Sequence, residues 1–201
     1  MQKNTILSLP LTLTGIRLII APLLLPFLVV YLLPLNLLWL NCLIGVLFFA
    51  FGLTDFFDGY YARKNNQVTL LGALLDPIAD KFLNLSTLLG LLVVHKISFF
   101  WVMLFIAREL FVMSLRLIAA EHGKSISVSW HGKLKTTAQF VYITVAICNP
   151  LASSYTTFTR IEEILLCIAV VSTLLSAYAY YRSFIAIFPD ILYRKSHDTT
   201  L

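Results

Sequence analysis

Charge is what this sequence has least of. Asp, Glu, Lys and Arg make up 12% of the residues against 59% hydrophobic ones, and the mean hydropathy is +0.87. A soluble domain carries about a quarter charged residues, so this composition excludes one and points to an integral membrane protein. Cysteine is scarce too. Cys42, Cys148 and Cys167 all fall in apolar stretches, and no CxxC is present. An odd count without that motif supports neither a disulfide framework nor a cysteine metal site, and the three read as small hydrophobes. His95, His122, His131 and His197 lie in or near expected loops without zinc spacing. There is no DDxxD cluster, which argues against a prenyltransferase, and no internal repeat or low-complexity run. The short alternating strands of a membrane barrel are also missing. The first apolar run is long and no small-residue cleavage site closes it, so it is not expected to be a cleaved signal.

What is present is a series of long apolar runs. Spanning a bilayer takes about 20 apolar residues per helix. Six such segments fit, at roughly 10–33, 36–62, 68–94, 98–120, 131–151 and 161–187. The expected fold is an all-α membrane protein, a single domain over 1–201. Pro10, Pro22 and Pro26 predict an irregular first span, and Pro34 a tight turn after it. The tail at 192–201 is expected to be frayed and solvated. Threading the six spans with a cytoplasmic N-terminus puts Lys3, Arg63, Lys64, Lys124, Lys133, Lys135, Arg182, Arg194 and Lys195 inside. Only Lys96 and Arg160 remain outside. That asymmetry obeys the positive-inside rule, so both termini are expected in the cytoplasm. The net charge of +5 suits anionic lipid, and no soluble basic face is left for nucleic acid.

Against this background the charges inside the spans stand out. Asp55, Asp58, Asp76, Asp80 and Glu109 belong to apolar segments, as do Arg17, Lys81, Arg108 and Arg116. In the threading above, all nine share the cytoplasmic half of their spans. Charge at bilayer depth is costly and marks function. Snorkelling at helix ends accounts for Arg17 or Lys81, but poorly for paired aspartates. Asp55 and Asp58 are three apart, and Asp76 and Asp80 four apart, so each pair shares a helix face. Gly59 and Ala62 follow the first pair at helical spacing, and Gly72 precedes the second. These small residues serve either helix packing or close approach of a ligand. Across the hairpin turned by Arg63–Gln67, the two pairs can converge. Divalent cations would remove the repulsion among the carboxylates, and an all-oxygen set suits Mg²⁺ or Mn²⁺ better than Zn²⁺.

Arg108, Arg116, Lys133 and Lys135 are the nearby cations, and a phosphate is the simplest anion for them. Metal ions and basic groups together suit transfer at phosphorus. Arg116 is also spaced to pair with Glu109. Lys133 and Lys135 point to nearly opposite sides of an ideal helix. A carrier is the rival class, but the charges gather near one face and no inverted repeat is visible.

Asp55-x-x-Asp58-Gly59-x-x-Ala62-Arg63, followed by Gly72-x-x-x-Asp76-x-x-x-Asp80, resembles the signature of the CDP-alcohol phosphatidyltransferases, with no motif position departing. Residues 9–22, 106–116 and 128–139 are similar to the bacterial branch of that family whose acceptor is sn-glycerol 3-phosphate. The resemblance covers roughly the first 140 residues. It implies a six-helix membrane domain, usually a homodimer, with two divalent cations. No transit peptide is apparent, so a bacterial plasma membrane is expected, and the threading puts the site near its cytoplasmic face. The resemblance also implies transfer of a phosphatidyl group from CDP-diacylglycerol to the acceptor, with release of CMP. By position, Asp55, Asp58 and Asp76 resemble metal ligands. Asp80 resembles the base for the acceptor hydroxyl and a further metal contact. Asp55, Gly59, Ala62, Arg63, Thr69 and Gly72 would line the CDP pocket. Arg108, Arg116, Lys133 and Lys135 would hold the acceptor phosphate. The cations disfavour serine but do not by themselves separate glycerol phosphate from inositol phosphate.

Overall fold

The computed structural model describes residues 22–64, 70–124, 126, 130–151 and 156–198, with backbone only at 54–64, 70–80 and 189–198. Among the described residues every regular element is helical. Helix α1 includes the described residues 22–32. Leu25, Val29 and Leu33, four apart, are fully buried, whereas Leu23, Phe27 and Tyr31 are exposed. A 3-10 turn, Leu33–Leu35, carries Pro34. Asn36 closes it at φ 55°, its N–H donating to the Leu33 carbonyl at 3.0 Å. The turn expected at Pro34 is therefore present.

Then follow α2 (Leu38–Lys64), α3 (Leu70–Val93), α4 (Phe99–Glu121), α5 (Trp130–Cys148) and α6 (Thr156–Asp198). Helices α3 and α4 stop in the same way. His95 (φ 57°) and Gly123 (φ 69°) take left-handed conformations. Lys96 N–H reaches Leu91 O and Lys124 N–H reaches Ala119 O, both at 2.9 Å, closing orphaned carbonyls in a Schellman arrangement. Helix α6 runs on past residue 187 through Pro189 to Asp198, where a frayed tail was expected. Hydropathy falls off in that stretch, but Leu192, Arg194 and Lys195 are good helix formers.

The chain forms two compact units, one within Met1–Ser98 and Ile143–Glu162, the other within Phe99–Tyr142 and Glu163–Leu201. In the first, Ile44 and Phe48 of α2 and Leu83, Leu88 and Leu91 of α3 are buried. Gly90 lies against α1, where an added Cβ would come 3.1 Å from Pro26 Cα. In the second, the buried stripe of α4 is Val102, Phe105, Arg108, Val112, Leu115 and Ala119, spaced three and four apart. Val112, Leu115, Ala119, Ile126 and Tyr180 pack together, with Phe184 and Ile187 beside them.

Large apolar side chains are exposed on every described helix, including Leu23, Val46, Leu89, Leu110, Leu134 and Ile164. Such surface is what lipid covers. One described stretch, Thr156–Phe188, is long and apolar enough to cross a membrane, and only 28% of its most apolar window is buried. The core helix of a soluble protein would be mostly buried. Within the described side chains, the shorter apolar stretches are Pro22–Leu35, Leu38–Leu53 and Lys81–Val93. The charges at Asp55 and Asp58 follow the second of these, and those at Asp76 and Asp80 precede the third.

Candidate functional site

Helical backbone runs through Asp55, Asp58, Gly59, Ala62 and Arg63 in α2, and through Gly72, Asp76 and Asp80 in α3. Positions three and four apart lie on one face of an α-helix. Helices α2 and α3 touch. The side chains of these residues, and Thr69 altogether, lie outside the described residues. Among the described residues no group of three His, Cys, Asp or Glu could hold a metal ion. The four aspartates expected to hold divalent cations fall in the helical backbone of α2 and α3.

The described chemistry is concentrated in the second unit. Arg108 belongs to the buried stripe of α4, and Lys135 is buried on α5. Both are over nine-tenths buried, at 9% and 4% exposure. A buried charge is costly unless paired. Glu109 supplies the pairing. Its Oε1 accepts from Arg108 Nη1 at 3.0 Å and also from Lys135 Nζ. The other guanidinium nitrogen, Nη2, donates to Ser176 Oγ on α6. The Tyr180 ring lies 5.6 Å from Arg108 Cζ, within cation–π range. Arg108 Nε is buried with no hydrogen-bond partner. Buried guanidinium and ammonium groups side by side are donors of the kind that bind an anion.

Of the four cations expected at a phosphate, the structure therefore brings Arg108 and Lys135 together. Arg116 and Lys133 are exposed. The opposite facing of Lys133 and Lys135 appears as one exposed and one buried side chain. Glu109 pairs with Arg108 rather than with Arg116 in the described contacts. Sequence reasoning missed Ser176 and Tyr180. The available signal was a polar series, Ser172, Thr173 and Ser176, recurring at helical spacing in an otherwise apolar helix.

A second polar cluster lies in the first unit, at the turns after α3 and α5. Lys96 Nζ is 3.3 Å from Glu162 Oε2 and donates to the Pro150 carbonyl at 3.4 Å. Asn149 Nδ2 donates to the same Glu162 oxygen at 2.6 Å. It ties two turns together and leaves no surplus charge.

Comparison with known proteins places these features in context. A family model described as CDP-alcohol phosphatidyltransferase matches residues 7–175. Proteins named CDP-diacylglycerol–glycerol-3-phosphate 3-phosphatidyltransferase from Salmonella typhimurium, Escherichia coli K12 and Shigella flexneri are each 40% identical over 149 residues, covering 71% of this chain and 78% of theirs. Matched by that model over both the aspartate motif and the Arg108–Glu109–Lys135 cluster, the chain belongs to the CDP-alcohol phosphatidyltransferase family.

Proposed function

We propose that this enzyme transfers the phosphatidyl group of CDP-diacylglycerol to sn-glycerol 3-phosphate, giving phosphatidylglycerophosphate and CMP. The names of its relatives support both substrates. The observation that carries the acceptor assignment is the pair of buried cations, Arg108 and Lys135, brought together at Glu109. Cationic donors suit a phosphorylated acceptor, and serine carries no phosphate for them.

In the proposed reaction, the acceptor hydroxyl oxygen attacks the phosphorus that bears diacylglycerol. The bond from that phosphorus to the oxygen of CMP breaks, and CMP leaves with the electron pair. Asp80 takes the hydroxyl proton. Asp55, Asp58 and Asp76, with Asp80 as a further contact, would hold divalent cations, Mg²⁺ or Mn²⁺. Such ions, when bound, stabilise negative charge on the phosphoryl oxygens and the leaving group. Asp55, Gly59, Ala62, Arg63, Thr69 and Gly72 line the CDP pocket. Arg108 and Lys135, joined by Arg116 and Lys133, hold the acceptor phosphate. The enzyme works as a homodimeric single-domain protein of six spans in a bacterial plasma membrane, its site open to the cytoplasm. There the lipid tails stay in the bilayer while soluble glycerol 3-phosphate enters from water.

The test is CMP release by the purified protein with CDP-diacylglycerol and Mg²⁺. Glycerol 3-phosphate, inositol 1-phosphate, serine and phosphatidylglycerol are offered separately, each with an EDTA control. Metal-dependent release with glycerol 3-phosphate alone is expected. Release with another acceptor instead would overturn the acceptor assignment.

A further inference from the structure

We propose that Glu109, Ser176 and Tyr180 are positioning residues, which hold the Arg108 guanidinium and the Lys135 ammonium together and oriented while no anion is bound. The inference rests on the reading of Arg108 and Lys135 as acceptor-phosphate groups. Two cations this deeply buried repel each other strongly, since little water screens them. Glu109 offsets the repulsion by accepting from both at Oε1. It also fixes one side of the guanidinium, through Nη1.

The other sides are fixed from α6. Ser176 Oγ accepts from Nη2. The Tyr180 ring stands at the guanidinium at 5.6 Å. Ser176 and Tyr180 are four apart, so one helix face supplies both. Helix α5 keeps the ring in place, because a Cβ on Gly132 would come 3.0 Å from Tyr180 Oη and 3.3 Å from its Cε2. The guanidinium Nε is buried and without a hydrogen-bond partner. A buried unsatisfied donor is destabilising, so an incoming anion is favoured at that atom. An acceptor without a phosphate would leave this donor unmet. Helix α6 thereby contributes to acceptor recognition without touching the acceptor.

The experiment compares kcat and the KM of each substrate by CMP release. The variants are Ser176→Ala, Tyr180→Leu, Tyr180→Phe and Glu109→Gln, with Arg108→Lys and Lys135→Gln as references. Losing one hydrogen bond to a charged group should raise the KM for glycerol 3-phosphate about tenfold in Ser176→Ala, with a comparable rise in Tyr180→Leu. The value of kcat and the KM for CDP-diacylglycerol should stay within about twofold of the wild type. Tyr180→Phe keeps the ring face and should restore a near-normal acceptor KM. Glu109→Gln should show the largest rise. If that variant does not fold, Ser176→Ala, which deletes a single oxygen, carries the test. Unchanged acceptor KM in both Ser176→Ala and Tyr180→Leu, while Arg108→Lys and Lys135→Gln raise it, would overturn the positioning role alone. Equal rises in the KM of both substrates would also overturn it, as general damage. Unchanged acceptor KM in Arg108→Lys and Lys135→Gln would overturn the phosphate-site reading itself, and this inference with it.

Discussion

Glu109 and Asp80 are both carboxylates within apolar helices, yet the proposed chemistry asks opposite things of them. Glu109 accepts from two cationic donors, so its oxygen is engaged in holding Arg108 and Lys135. Asp80 is assigned the acceptor's proton. Asp80→Asn keeps the size of the side chain but cannot take that proton. It should lower turnover by at least about 100-fold, the usual loss for a general base. Binding of CDP-diacylglycerol should remain largely intact. CMP release and direct lipid binding measured on the same preparation check both halves, and near-normal turnover would remove Asp80 from the mechanism. The candidates were readable at this scale, because an ionisable residue in an apolar run is rare enough to mark itself. That is how Arg108 and Glu109 stood out, whereas Lys135 was singled out only as a nearby cation. Ser176 and Tyr180 carry no charge, and their part depends on which helix faces Arg108, which no spacing within one helix reveals.

At the scale of elements, the packing of α2 against the end of α5 depends on one glycine. A Cβ on Gly45 would overlap Cys148 Sγ, and the Thr144 carbonyl oxygen lies 3.5 Å from the same point. Small residues let membrane helices approach this closely. Gly45→Ala should therefore destabilise the protein by about 1–3 kcal/mol, the usual range for overpacking, read as a lower Tm in detergent. Adding Cys148→Ala to that variant should recover most of the loss, because it removes the colliding sulfur. No recovery would mean that the helices part for another reason. The elements themselves were largely legible. The expected segments 36–62, 68–94 and 98–120 correspond to Leu38–Lys64, Leu70–Val93 and Phe99–Glu121. Apolar runs bounded by polar turns fix such helices well. Helix α6 was underestimated because hydropathy records where lipid contact ends, whereas backbone hydrogen bonding continues through any run of adequate helix formers.

For the whole molecule, the expected threading sets which side of the membrane each turn should face. A six-span threading puts the turns after α3 and α5 on the same side. Consistent with this, Lys96 in the first turn contacts the Pro150 carbonyl in the second, and Glu162 beyond it. Lys96 lies in the first of these turns and Arg160 in α6 just after the second, and they are the few basic residues assigned to the outside. Basic residues are retained on the cytoplasmic side during insertion, so the Lys124–Lys135 region and both termini should lie inside. Cys42, Cys148 and Cys167 can be replaced to give a background without thiols. In that background Arg160→Cys, at an exposed position, should react with a membrane-impermeant maleimide on intact cells. Lys124→Cys, also exposed, should react only after the membrane is permeabilised. The reverse pattern would turn the aspartates and the Arg108–Lys135 cluster away from the cytoplasm. It would also remove the route by which a soluble acceptor made inside the cell is proposed to reach them.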